Sequence, residues 1–222
     1  RYARAVTIFE SMRERGVPRN AQSLALGAEA LVALGEHERP AALIGLMRRQ
    51  GHPVPEHLLM STMGLAHVKK DWWVALCLLD QSGRQVTSQA AATSHDNETL
   101  LSAAVEAVAG GAIPALLSAR AAGVCARAKA WHEALELVRG SEAARSGSAG
   151  AEIAEESPRM LTVALRVYEA RTLWEEALDA LRRLEACSQD VTANHWGRAF
   201  GACIAASEWG AARELYARGA AR

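Results

Sequence analysis

Residues 1–20, RYARAVTIFESMRERGVPRN, and residues 36–55, EHERPAALIGLMRRQGHPVP, carry one pattern twice. Ala5 falls on Pro40, Ile8 on Leu43, Met12 on Met47, Gly16 on Gly51 and Pro18 on Pro53, each pair 35 residues apart. A further 35 residues brings Pro40 to Ala75 and carries Tyr2 through His37 to Trp72. Toward the other end, Trp174 and Ala177 map onto Trp209 and Ala212 at the same spacing. The middle is out of phase: Trp72 to Trp131 is 59 residues and Trp131 to Trp174 is 43. A unit this short cannot bury its own apolar face, so a chain with such a period must stack its units against one another.

Each unit reads as two helices. The second has apolar residues at i, i+3, i+4 and i+7, as in Ala177, Leu178, Leu181 and Leu184. Gly-x-Pro follows it in the first two units, glycine suiting a left-handed C-cap and proline being unable to continue the helix. A preceding helix is predicted over Ala21 to Leu34, Glu56 to Val68, Ile113 to Ala128, Pro158 to Ala170 and Thr192 to Ala206. Four of the six tryptophans open a second helix as Trp-x-x-Ala: Trp72, Trp131, Trp174 and Trp209, followed by Ala75, Ala134, Ala177 and Ala212. The tryptophan is expected to cover the turn between paired helices, and the small alanine one turn later to let two backbones approach. Half the residues are hydrophobic but only 5% are aromatic, and β-branched residues are sparse, which favours helix over strand. The predicted fold is all-α, an α-solenoid of antiparallel helix pairs with a period of about 35 residues.

Two small, polar tracts without period interrupt the array, "GRQVTSQAAATSHD" (83–96) and "GSEAARSGSAGAE" (140–152), and both read as loop inserts. The chain therefore divides into repeats over 1–82, an insert at 83–96, irregular helices over 97–139, an insert at 140–156 and repeats over 157–222. Asn97 to Ala109 is predicted as an additional helix capped by Asp96, pairing with Ile113 to Ala122 or standing as an insertion.

A 35-residue helix pair whose second helix reads as in "AVTIFESMRERGVPRN", "WEEALDALRRLEA" and "WHEALELVRG" resembles the pentatricopeptide repeat family. The tetratricopeptide repeat is the nearest competitor, with a 34-residue period and without this Gly-x-Pro. The resemblance covers about five and a half units. It implies an organellar protein that binds RNA, either as a processing, editing or stability factor or as a structural part of the mitochondrial ribosome. It also implies base reading by one residue early in the first helix together with the last residue of the unit. The first positions fall on Ala25, Met60, Ala119, Thr162 and Gly197, and the second on Asn20, Pro55, Ala90, Ala149 and Thr192. Asn20, Thr162 and Thr192 are thus the candidate base readers. Alanine, methionine and glycine offer a base edge no side-chain donor or strong acceptor.

Candidate contacts to an RNA backbone are Arg19, Arg48, Arg49, Lys69, Lys70, Arg127 and Lys129, clustered at unit boundaries. The blander reading is that helix C-termini attract basic residues through the helix dipole. The four patterned tryptophans are expected to pack. Trp73 and Trp196 lie outside the pattern and are the aromatic candidates for an exposed contact.

Lys+Arg and Asp+Glu balance at 25 each, so no overall basic field advertises a polyanion. No run of eighteen apolar residues suggests a membrane span. The cysteines (Cys77, Cys125, Cys187, Cys203) form no Cys-x-x-Cys and are expected as buried reduced thiols. His132-Glu133 lacks the second histidine of a zinc-protease helix, and the remaining histidines have no ligand spacing. No phosphate-binding glycine loop or nucleophile elbow occurs, so no enzyme, catalytic residue, metal, cofactor or small-molecule substrate is expected. Asn97-Glu98-Thr99 matches the glycosylation pattern and is discounted. The chain opens without Met inside a unit, so it is expected to be a segment whose targeting peptide is out of view.

The expected function is a non-enzymatic, architectural RNA- and protein-binding subunit of a mitochondrial ribosome or its assembly complex. The alternatives are an organellar factor binding single-stranded RNA and a tetratricopeptide-like scaffold without RNA. In the first case the partners are ribosomal RNA, through backbone contacts, and proteins of the complex, without a membrane.

Overall fold

The computed structural model describes residues 1–80, 94–111, 113–147, 158–187 and 191–220. All regular structure among them is helical. The helices are α1 (Tyr2–Glu14), α2 (Ala21–Ala33), α3 (Glu38–Arg49), α4 (Glu56–Lys69), α5 (Trp72–Leu79) and α6 (Ser94–Ala109). They continue with α7 (Ala115–Ala128), α8 (Trp131–Gly147), α9 (Pro158–Ala170), α10 (Trp174–Cys187), α11 (Ala193–Ala205) and α12 (Trp209–Ala220). The chain forms two compact units, Arg1–Ile113 and Pro114–Arg222.

Within each unit, helices pack on the next in sequence and, in several cases, on the one after that. In the first unit α2 packs on α1, α3 and α4, while α5 packs on α3, α4 and α6. In the second, α9 packs on α7, α8, α10 and α11, and α12 on α11. Short connections make sequence neighbours antiparallel. Contacts one apart build hairpins and contacts two apart stack them, which is the arrangement that the 35-residue period predicts.

The hairpin turns are built alike. Gly35, Lys70, Lys129, Thr172 and Ser207 are all left-handed, with φ of 82°, 60°, 64°, 57° and 62°. Each stands two residues before the position of His37, Trp72, Trp131, Trp174 or Trp209. The next backbone N–H in each case donates to the carbonyl five residues back: Glu36 to Leu31, Asp71 to Ala66, Ala130 to Cys125, Leu173 to Tyr168 and Glu208 to Cys203, at 2.9–3.1 Å. This closure satisfies carbonyls that the end of the helix leaves orphaned. The alternate turns use Gly16 and Gly51, also left-handed, with Val17 donating to Met12 and His52 to Met47.

The alanines of Trp-x-x-Ala are buried without exception: Ala75, Ala134, Ala177 and Ala212. Close approach is visible elsewhere too. A Cβ added to Gly27 of α2 would lie 2.8 Å from the Phe9 ring of α1, so glycine is what lets that ring sit against the helix backbone. Phe9, Leu24 and Met47 make one apolar cluster there, from α1, α2 and α3.

Several expectations need correction. The tract predicted as a loop from residue 140 is helical through Gly147, because "SEAAR" is rich in good helix formers and α8 simply continues. Its Glu142 accepts from Tyr168 of α9 and from Arg183 of α10, so this extension is tied down. Residues 94–96 belong to α6, so Asp96 lies in the first turn instead of capping the helix. The remainder of both inserts, 83–93 and 148–156, lies outside the described residues. Ile113 stands before α7, where Pro114 occupies the N-cap with an extended ψ of 135°. The extra helix α6 packs on α5 and belongs to the first unit. Cys125 and Cys203 are buried free thiols as expected, whereas Cys187 is exposed.

Candidate functional site

The basic candidates do not share one edge. Arg19 precedes α2, and Arg48 and Arg49 end α3, so they lie at the α1–α2 and α3–α4 turns. Lys69 and Lys70 lie at the α4–α5 turn, on the other side of a 14-residue helix, about 20 Å away. Arg19, Arg49, Lys69 and Lys70 therefore do not line up as one stripe within the first unit. Arg127 and Lys129 occupy the α7–α8 turn of the second unit, equivalent to that of Lys69 and Lys70, and both are exposed.

Arg48 is turned inward. Its guanidinium donates to the carbonyls of Leu78, at 3.0 Å, and Asp80, satisfying the C-terminus of α5. Burial lowers its pKa, opposed by Asp80. Arg48 is thus a cap on a neighbouring helix, a placement that a basic residue near a helix end does not reveal in sequence. Arg19 is half-buried with its guanidinium 5.2 Å from the Phe9 ring centroid. Beside it, Arg39 pairs with Glu10 and Glu36.

The three candidate base readers all make hydrogen bonds inside the protein. Asn20 is the N-cap of α2, its Oδ1 accepting from the Ser23 N–H at 2.8 Å. Thr192 caps α11, and its N–H lies 3.1 Å from His195 Nδ1. His195 Nε2 lies 3.3 Å from Thr162 Oγ1, which in turn donates to the Pro158 carbonyl at 2.9 Å. These contacts form one consistent chain if Nδ1 accepts from Thr192 and Nε2–H donates to Thr162, which requires a neutral imidazole. Burial, with a smaller contribution from Arg198, lowers the His195 pKa and favours that neutral form. Thr162 and Thr192, the one polar reading pair, are therefore bridged by a histidine that links α9 to α11. Of the other reading positions, Ala119 is buried and Gly197 exposed. Ala90 and Ala149 lie outside the described residues.

The tryptophans divide differently from expectation. Trp72, Trp131 and Trp174 are half-buried at their turns, with Arg166 6.0 Å from the Trp131 ring. Trp209, in the equivalent place, is 63% exposed, because among the described helices α12 packs mainly on α11. Trp73, expected outside, is 5% exposed, because α3, α4 and α6 all pack on α5 and bury it on nearly every side. Trp196 is half-buried and forms, with Phe200, Leu215 and Tyr216, the wall of an apolar groove of about 520 Å³ between α11 and α12. Arg218 sits 5.6 Å from the Trp196 ring and pairs with Glu185 at 2.9 Å.

One titratable cluster escaped sequence reading. His37, Glu38 and Asp71 offer ligand atoms within 4.8 Å of one another. His37 Nε2 contacts Asp71 Oδ2 at 3.0 Å, while the other Asp71 oxygen caps α5 through the Val74 N–H. His37 and Asp71 are 34 residues apart, so the signal was the period itself, which sets the starts of α3 and α5 side by side. Asn97, of the glycosylation pattern, lies in helix α6 with its side-chain oxygen buried, which is unsuited to modification. Comparison with protein-family models, curated proteins and solved structures finds no match. No helix among the described residues is long and apolar enough to cross a membrane.

Proposed function

We propose that this chain is a non-catalytic helical-repeat scaffold, an architectural protein- and RNA-contacting part of a large ribonucleoprotein assembly. The pentatricopeptide resemblance points to the mitochondrial ribosome or an assembly intermediate of it. The observation that carries the reading is the engagement of Asn20, Thr162 and Thr192 in caps and inter-helix bonds. A reader of single-stranded bases needs those groups unpaired, whereas each already holds a partner within the protein. The remaining exposed cations, Arg49, Lys69, Lys70, Arg127 and Lys129, suit contacts to phosphates of folded RNA at separate points. Balanced charge also favours a component held by several partners over one held by a polyanion alone.

Purification of the tagged protein from cells at two salt concentrations tests the proposal. Stoichiometric ribosomal RNA and ribosomal proteins retained at the higher salt are expected. A small set of messenger or guide RNAs lost as salt rises would replace the reading with a processing factor. Protein partners without RNA would leave a scaffold alone.

A further inference from the structure

The hairpin turns share one design, yet at the position where four of them carry tryptophan (Trp72, Trp131, Trp174 and Trp209) the first carries His37. The larger ring serves packing at a turn better, so the histidine calls for a reason of its own. His37 holds the N-cap position of α3 but makes no side-chain cap bond there. Its Nε2 lies instead 3.0 Å from Asp71 Oδ2, at the start of α5. Asp71 is held from its other side: Oδ1 accepts from the Val74 N–H at 3.1 Å, which leaves Oδ2 directed at the imidazole. Both side chains are more than four-fifths buried, at 16% and 17% exposure. Beside them stands Glu38, exposed, and the three residues offer ligand atoms within 4.8 Å of one another.

We propose that His37, Glu38 and Asp71 bind a divalent metal ion of the zinc type, which clamps the start of α3 to the start of α5. One imidazole nitrogen and two carboxylate oxygens form a donor set that Zn²⁺ accepts, with water completing its shell. Bonds of about 2.0–2.2 Å set neighbouring ligand atoms about 3–3.5 Å apart. His37 and Asp71 already stand at that spacing. Glu38, which has no hydrogen bond or ion pair among the described residues, has only to turn inward. The Val74 N–H supplies the outer hydrogen bond that orients a ligating carboxylate. Charge favours a cation as well, because neither Glu38 nor Asp71 pairs with a lysine or arginine among the described residues, and the adjacent Arg39 is taken by Glu10 and Glu36. The positive ends of α3 and α5 oppose the ion, so the affinity should fall below that of a closed four-ligand site. On binding to the neutral ring, the imidazole proton resides on Nδ1, and the His37–Asp71 hydrogen bond is exchanged for two metal bonds. The inference is independent of the ribonucleoprotein reading.

The test is calorimetric titration of the chelator-treated full chain with Zn²⁺, together with its melting temperature with and without the ion. One ion per chain is expected at micromolar or tighter affinity. The melting temperature should rise with it, since the three ligands meet only in the folded chain. Glu38→Gln alters an exposed side chain, leaves the fold alone and should weaken binding about tenfold or more. Asp71→Asn keeps an oxygen for the Val74 N–H, so α5 stays capped while the site loses a charged ligand and binding is lost. His57→Gln, at an exposed histidine outside the cluster, should bind as the unaltered chain does. Absence of micromolar binding would overturn the inference. So would binding unchanged in both Glu38→Gln and Asp71→Asn, which would place the ion on other histidines or on Cys187.

Discussion

At the scale of single residues, the turns carry a cost that sequence alone hides. Gly35 adopts its left-handed conformation freely, but Lys70, Lys129, Thr172 and Ser207 do so against the steric preference of any residue with a Cβ. Thr172, β-branched and exposed, is the most strained of these. Left-handed backbone costs an L-residue about 1–2 kcal/mol, and glycine gives back about 0.5–1 through the unfolded state. Thr172→Gly should thus stabilise the second unit by roughly 0.5–1 kcal/mol, read as a rise in the urea midpoint at unchanged slope. Gly51→Ala, at a left-handed turn of the first unit, should lower that unit's midpoint. Arg48 offers a second case: Arg48→Met removes two charge-assisted bonds from a partly buried helix end and should cost about 1.5–3 kcal/mol. Arg48→Lys should recover only part of that, since one ammonium cannot reproduce the guanidinium fork. A midpoint unchanged in Arg48→Met would show that α5 does not depend on this cap.

At the scale of helices, the polar chain Thr192–His195–Thr162–Pro158 fastens α11 to α9. His195 is neutral in that chain and its pKa lies below the ordinary value, so the folded state binds its proton less readily than the unfolded state does. The contribution to stability is then fully present above the unfolded pKa of about 6.5 and is lost as pH falls through the lowered folded value. The melting temperature should drop between about pH 6.5 and 5 more steeply than in His195→Gln, and parallel curves would contradict this role. Helix positions were legible because the period, Gly-x-Pro and apolar spacing are local signals. They placed α2, α4, α9 and α11 to within a residue or so of their observed ends. The extension of α8 was missed because "SGSA" looks like loop chemistry while Glu142 earns its place through Tyr168 and Arg183, residues far along the chain. Trp73 was misplaced for the same reason: it falls outside the turn pattern, and it is buried in a helix on which α3, α4 and α6 all pack, the last of them outside the 35-residue register.

At the scale of the molecule, stability should be graded along each stack, since a terminal helix has fewer neighbours than an inner one. Trp209→Ala, at a mostly exposed side chain on α12, should cost under about 1 kcal/mol, whereas Trp73→Ala in the core of α5 should cost about 3–5. Amide exchange should follow the same order, slowest in α5 and α9 and fastest in α1 and α12. The candidate site was less legible than the fold, because whether Arg48, Asn20 or Thr162 faces outward is decided by partners 3 to 33 residues away in sequence. The central functional proposal is that this array contacts RNA through phosphates without reading bases. It is tested most directly by fluorescence anisotropy with four labelled homopolymeric oligoribonucleotides across a salt series. The account predicts affinities within about threefold of one another that weaken together as salt rises, as expected for phosphate contacts. One homopolymer bound more than about tenfold tighter, with that preference lost in Thr162→Ala, would contradict it.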